Sequence, residues 1–133
     1  MQRINISSDS PFEKEIGFSR VVRVGHIFSI SGTAPIDTNG DTKFLDDVYS
    51  QTKYCINIMK TAIEKAGGKI DDVIRTRIML KDITKWEKAA KAHSEYFHDI
   101  KPACTFFEVK NFVNPNWLLE NEADCVLLNT TEL

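Results

Sequence analysis

An α+β chain is expected here, with one mixed β-sheet and two helices laid across one of its faces. Short apolar stretches of period two alternate with two longer stretches of period 3.6. Glycine, proline and asparagine mark the breaks, and no repeat, linker or low-complexity tract divides the 133 residues. That length suits a single domain over 1–133, with room for one core.

Phe18 to Val24 and His26 to Ser31 read as the two strands of a hairpin about Gly25. Gly32 to Lys43 is loop, marked by Pro35, Asn39 and Gly40. Asp46 and Asp47 are N-cap candidates for the first helix, since a carboxylate can accept from the unpaired N–H groups of a first turn. Val48, Thr52, Cys55, Met59, Ala62 and Ala66 recur at steps of three and four, and Ile56 and Ile63 widen that stripe. Gly67-Gly68 supplies the stop. Val73 to Lys81 alternates as a strand. Thr84-Lys85-Trp86-Glu87 has the spacing of a capping box and opens a second helix. Its buried stripe is expected at Trp86, Ala89, Ala90, His93, Tyr96 and Phe97. Asp99 to Pro102 leads into a strand over Thr105 to Val109. Asn114-Pro115-Asn116 turns the chain into a last strand, Leu118-Leu119-Glu120-Asn121-Glu122-Ala123. A short further strand could form at Arg3 to Ile6.

The order is therefore β-β-α-β-α-β-β. Val22, Val24, Ile78, Leu80 and Phe107 exceed what two helices and one sheet need to bury. An apolar second face on the sheet is expected, and with it oligomerisation.

Lys plus Arg number 17 against 19 Asp plus Glu, a net charge of −2. Without a basic stripe, no nucleic-acid partner is expected. The three cysteines, Cys55, Cys104 and Cys125, lie far apart with no Cys-x-x-Cys, which argues against a disulfide framework. Met1-Gln2-Arg3-Ile4-Asn5 lacks the apolar core of a secretory signal, and no apolar run approaches transmembrane length. A cytoplasmic protein without a membrane partner is the expectation. The three histidines show no metal-ligand spacing, so no metal is expected.

The chemistry-bearing residues lie towards the C-terminus. Lys101-Pro102-Ala103-Cys104-Thr105 enters one strand. Glu120 and Glu122 stand two apart on the next, so both point to one face. A carboxylate in mid-strand needs a polar partner or a cleft.

In these segments the chain resembles the Rid/YjgF family, also described as L-PSP endoribonuclease-like. That family's signature is Pro-Ala-Arg-Ser/Thr followed further on by a Glu-Ile-Glu-Ala strand. Upstream, Ile27-Phe28-Ser29-Ile30-Ser31-Gly32-Thr33-Ala34-Pro35 is similar to its strand ending in Ser-Gly-x-x-Pro. Ala66-Gly67-Gly68-Lys69-Ile70-Asp71-Asp72-Val73-Ile74 is similar to its helix exit, and Leu80-Lys81-Asp82-Ile83 to the end of the following strand. The resemblance runs from Gly17 to Cys125 with the motifs in order.

The resemblance implies a chorismate-mutase-like fold assembled as a homotrimer, its three sheets forming a central barrel and its sites lying in the clefts between subunits. It implies hydrolysis of reactive imines and enamines with no cofactor. In the arginine-bearing branch an arginine grips the substrate carboxylate with two hydrogen bonds, and a glutamate directs the attacking water. By motif, Glu120 is that glutamate and Ser31 with Gly32 the pocket wall. Phe18 stands where the family often has tyrosine, Ala90 where the deaminase branch has asparagine, and Asn121 where isoleucine is usual. Cys104, followed by Thr105, replaces the arginine. That pattern is similar to the family's non-arginine branches, with their Arg-Thr-Arg strand and a histidine in the second helix, here Arg75-Thr76-Arg77 and His93.

Each residue keeps an alternative. Glu120 could be a structural strand carboxylate paired with an arginine. Arg75 and Arg77 share a strand face and could both be solvated, or could pair with Glu120 and Glu122 across strands, or one of them, Arg77 in the cleft, could supply the missing charge to a substrate. His93 could be a general acid/base or a core histidine. Cys104 could be a small filler or, beside a cation, a reactive thiol. The expected cleft holds Glu120, Ser31, Gly32 and Cys104 with Arg77 in reach, and a close arginine outweighs burial at Glu120. Three readings stand. The first is a cofactor-free hydrolase or deaminase of imines, enamines or related carbonyl compounds, weak on 2-aminoacrylate because of Cys104. The second is a non-catalytic small-molecule-binding or regulatory trimer. The third is an endoribonuclease, disfavoured because carboxylates in a cleft of an acidic chain repel phosphate.

Overall fold

In chain order the elements are β1 (Arg3–Ile6), α1 (Pro11–Ile16), β2 (Val21–Val24), β3 (Ile27–Thr33), α2 (Val48–Lys65), β4 (Val73–Leu80), α3 (Trp86–Phe97), β5 (Ala103–Glu108) and β6 (Leu119–Val126). They are seen in a computed structural model, which describes residues 1–128. The six strands form one mixed sheet in the order β1-β2-β3-β6-β4-β5. Only β4 and β5 run parallel; the other neighbours are antiparallel. The short strand at Arg3–Ile6 is present at the edge beside β2.

Helix α1 was not expected, yet its start signal is in the sequence. The Ser10 hydroxyl accepts from the Phe12 amide at 3.3 Å, and the Glu13 carboxylate accepts from the Ser10 amide at 3.2 Å, with Pro11 in the first turn. Gly17 ends it at φ 92°, a left-handed conformation that suits glycine. Of the two aspartates before α2, Asp47 is the cap, accepting from the Ser50 amide at 3.0 Å. The buried stripe of α2 includes Val48, Thr52, Cys55, Ile56, Met59, Ala62 and Ile63.

The start of α3 differs from the expectation. Asp82, not Thr84, accepts from the Thr84 amide at 3.0 Å and from its hydroxyl at 2.6 Å. This caps a 3-10 turn over Ile83–Lys85, and α3 begins only after it. Trp86 thus stands at the very start of α3 and is exposed, while Ala89, Ala92 and Phe97 are buried and Ala90, His93 and Tyr96 half-buried.

The core lies between the helices and one face of the sheet. One cluster gathers Phe28, Ile30, Ile56, Met59, Ile63 and Ala123; a second gathers Val48, Cys55, Ile78, Leu80, Ala89 and Leu119. Ile78 and Leu80 therefore face the helices and are fully buried, which corrects their assignment to the second face. Alternation shows that they share a face but not which face is covered. The opposite face carries Met79 and Phe107, with Arg77 opposite Glu122 on β6 and beside Thr105 on β5. Arg77 Nη1 meets Glu122 Oε1 and Asp124 Oδ2, each at 3.3 Å. The second face is thus ionic as well as apolar. Val24 and Phe107 stay exposed on it in the single chain, and Val22 is half-buried.

Gln51 ties the loops to this frame. Its fully buried amide donates to the carbonyls of Lys43 and Phe44, each at 3.2 Å, and of Asn116 at 3.1 Å; its oxygen accepts from the Leu118 amide at 2.9 Å. Gln51→Leu keeps the bulk but leaves these backbone groups unpaired. The expected loss is about 2–4 kcal/mol in urea unfolding; a loss under about 0.5 kcal/mol would contradict this anchoring role.

Candidate functional site

Strands β3 and β6 pair regularly from Ile27 to Ile30, and then the register slips before Thr33 meets Asn121. The slip contains Ser31 and Gly32. A Cβ built on Gly32 would lie 2.9 Å from Glu120 Oε1, so a glycine is needed for the carboxylate to lie against this backbone. Glu120 is half-buried here.

Arg20 fastens the slip. Its Nη1 donates to the carbonyl of Gly32 at 2.7 Å, to the Thr33 hydroxyl at 3.1 Å and, more weakly, to the carbonyl of Ser31 at 3.5 Å. Its Nε donates to the Ser8 hydroxyl at 3.1 Å. The Ser31 hydroxyl donates to the carbonyl of Ser19, and the Ser31 amide to the carbonyl of Arg20. Arg20 is only 4% exposed. Among the described residues no carboxylate lies within 4.0 Å of it.

These groups line a cavity of about 410 Å³. Its polar wall is Ser31, Gly32, Arg20 and Glu120; Phe18, Phe12, Ile16 and Trp117 form much of its apolar wall. Phe12 from α1 meets Trp117 edge to face at 5.7 Å, and the Arg20 guanidinium lies 5.4 Å from the Phe18 ring centroid. Helix α1 thus exists, functionally, as one side of this cavity.

Burial pushes the Glu120 carboxyl above its ordinary pKa; Arg20 opposes the shift and Glu122 adds to it. The expectation that a close arginine would outweigh burial is therefore overturned. The cation is near but not in contact, and desolvation of the carboxylate dominates. Burial likewise pulls the Arg20 guanidinium down from its usual range, while Glu13, Cys55 and Glu120 hold it up.

Of the residues singled out in the sequence, Phe18, Ser31, Gly32 and Glu120 converge on the cavity. Arg77 shares a sheet face with Glu120 but is engaged with Glu122 and Asp124 and is not part of the wall. Cys104 and Thr105 sit on the edge strand β5, with β4 between them and β6. Both are exposed, and within one chain neither lines the cavity. Cys104 pairs with Thr76, which belongs to the helix-covered face. His93 lies on that face too: its Nε2 is 2.8 Å from the Thr76 hydroxyl and its ring 4.5 Å from that of Phe97. Burial lowers its pKa and favours the neutral ring. Arg20 was missed. Its signal is weak, a single arginine ahead of the apolar Val21-Val22, and its importance comes from a contact with β3.

The chain matches the family model "Endoribonuclease L-PSP" over residues 9–127. It is 34% identical over 111 residues to a RutC family protein of Pyrococcus abyssi, covering 83% of this chain and 87% of that one. It is 30% identical over 98 residues to the 3-aminoacrylate deaminase RutC of Acinetobacter baylyi, covering 74% and 77% of the two chains. Among solved structures, a member of the YjgF/YER057c/UK114 family from Mycobacterium tuberculosis superimposes with a TM-score of 0.86 at 33% identity. That match covers 95% of this chain and all of the other (100%).

The raised pKa of Glu120 has a stability consequence with a definite sign. A carboxyl with a folded pKa above its unfolded one stabilises fully below the unfolded value, and that contribution is lost as pH rises through the folded value. Relative to Glu120→Gln, the wild type is expected to lose stability as pH rises through the window just above the ordinary glutamate range. Urea unfolding of both proteins across that window checks it, and a pH-independent difference would contradict burial as the dominant cause.

Proposed function

The chain belongs to the Rid/YjgF family, and on that footing we propose that it is a cofactor-free hydrolase or deaminase of reactive imine, enamine or related carbonyl metabolites. The observation that carries this reading is Glu120, a half-buried carboxyl with a raised pKa laid against Gly32 in a cavity of small-molecule size. The relative named 3-aminoacrylate deaminase supports the reaction class.

An imine carbon is already electrophilic, so proton management and water placement suffice. Glu120 accepts a proton from water as the water oxygen bonds to the imine carbon. The C=N electron pair moves to nitrogen, which takes up a proton. The resulting carbinolamine collapses: the hydroxyl proton passes by way of Glu120 to the amine nitrogen, the carbon–nitrogen bond breaks with its electron pair going to nitrogen, and ammonia and a carbonyl compound leave. A carboxyl with a raised pKa suits both the accepting and the returning step. An enamine enters the same path once its methylene carbon is protonated.

In this reading the working unit is a homotrimer. The exposed edge strand β5 brings Cys104 and Thr105 to the rim of a neighbour's cavity, and the mixed apolar and ionic sheet face turns inward. Cys104 is a poor partner for a substrate carboxylate, since a thiol is a weak donor and a thiolate would repel it. The protein is therefore a weak 2-aminoacrylate deaminase. A second reading, a non-catalytic ligand-binding trimer, draws support from Ser31, whose hydroxyl is committed to the Ser19 carbonyl.

The decisive assay is carbonyl-product release from imine-generating lyases, with an arginine-bearing relative alongside. Glu120→Gln is expected to lower turnover by about a hundredfold or more. Turnover that survives this change would refute the role of Glu120; binding with no wild-type turnover would select the second reading. Light scattering at micromolar concentration is expected to give about three times 15.1 kDa, and a monomer would sink the trimeric site.

A further inference from the structure

We propose that Arg20 is the anion-receiving group of the cavity, and that the site selects a small carboxylate carrying an apolar body of roughly aromatic-ring size. The inference rests on the reading of this cavity as a small-molecule site.

The family motif places a substrate-gripping arginine on the strand that here carries Cys104, and the sheet's other candidates are occupied or remote. Arg77 is held by Glu122 and Asp124. Arg75 reaches the Thr105 hydroxyl at 3.4 Å on the exposed edge of the sheet. Arg20 is different in three respects. It lines the cavity itself. It is almost wholly withdrawn from water, at 4% exposure, with no carboxylate of the described residues in ion-pair contact. Its position is fixed in advance by the backbone of β3 and by Ser8 and Thr33.

Those bonds use Nε and Nη1. None of them uses Nη2, which carries two N–H groups. A buried guanidinium held rigid by its own chain binds an anion without first losing side-chain freedom, and the low-dielectric wall strengthens the contact. Three titratable groups surround it. The Glu13 Oε2 atom is taken up by the Ser8 amide and hydroxyl and the Ser10 amide, at 2.8–3.2 Å. The Cys55 thiol is fully buried, and burial holds it neutral. Glu120 is the remaining competitor for the charge; it shares the cavity wall with Arg20 without an ion-pair contact.

The rest of the wall sets the other end of the ligand. Phe12, Ile16, Phe18, Ile36, Val113 and Trp117 present apolar surface around the same space. A two-carbon body such as that of 2-aminoacrylate would leave this surface wet. A ring-bearing or branched body covers it and gains the corresponding hydrophobic free energy. The charge at one end and the apolar wall at the other thus select an apolar carboxylate, with the reacting carbon held between Arg20 and Glu120.

The test is a binding measurement that needs no turnover. The chain has two tryptophans, and Trp86→Phe removes the exposed one, leaving Trp117 as a fluorophore in the cavity wall. In that background, 3-phenylpropionate, 3-phenylpropionamide and acetate are titrated. The acid is expected to bind about tenfold more tightly than its neutral amide, and acetate at least about tenfold more weakly than 3-phenylpropionate. Arg20→Gln is expected to abolish the preference for acid over amide. Because Arg20 is buried and that variant could fail to fold, Glu120→Gln supplies a second reading. Removing the competing carboxylate should tighten the acid several-fold and leave the amide unchanged. Equal affinity for acid and amide, or no effect of Glu120→Gln on the acid, overturns the role of Arg20; acetate binding as tightly as 3-phenylpropionate overturns the apolar selection. Acid-selective binding without turnover sinks the hydrolase reading and leaves this one standing. Turnover without acid preference does the reverse.

Discussion

The clamp between Arg20 and the irregular stretch of β3 is the constraint on which the site depends. Strand pairing alone would continue β3 along β6 in regular register, with each residue's side chain alternating faces. Instead the register slips at Ser31 and Gly32, and the exposed backbone there must find other partners. Arg20 supplies them through the carbonyl of Gly32 and the hydroxyl of Thr33, and the Ser31 amide returns a bond to the Arg20 carbonyl. One buried cation therefore satisfies the backbone of the irregular stretch and gives the cavity its positive charge.

That placement explains the electrostatics. A carboxylate in direct contact with an arginine would be held ionised, and the site would be a closed ion pair with little chemistry to offer. Here the two charges share a cavity without touching. Burial then governs Glu120, and its proton is held more tightly than on a surface glutamate. On the same strand, one residue further, Asn121 points under the helices, and neither side-chain polar atom has a hydrogen-bond partner among the described residues. Polar groups thus stand on both sides of β6 at the irregular stretch, an arrangement that favours chemistry over stability.

The two faces of the sheet divide the remaining work. The helix-covered face is packed with Phe28, Ile78, Leu80 and Leu119 and fixes the strands in place. The open face carries Arg77 between Glu122 and Asp124 with Met79 and Phe107 nearby. Half-exposed ion pairs of that kind contribute little to a single chain. Next to apolar side chains they give the face a definite charge pattern, which matters for which surface can meet it.

The sequence by itself determined the elements whose cause is local. The period of α2, an aspartate cap at its start, the Gly67-Gly68 stop and the alternation of β4 and β6 all follow from neighbours a few residues apart. The glutamate strand and the Ser31-Gly32 wall were legible for the same reason, as motifs carried by contiguous residues. Even α1 left a local signal in Ser10 and Glu13, although its six residues make a faint pattern. Tertiary structure decided what depends on distant partners. Which face of β4 is covered, and hence the burial of Ile78 and Leu80, is set by where the helices lie and not by alternation. Arg20 became the cavity's cation only when β3 lost register beside it, and Arg77 was withdrawn from that role by carboxylates more than forty positions away in the chain. Burial of Glu120, which outweighs the nearby arginine, is likewise a property of the assembled cavity, because desolvation is a sum over the whole surroundings and no short stretch of sequence contains it.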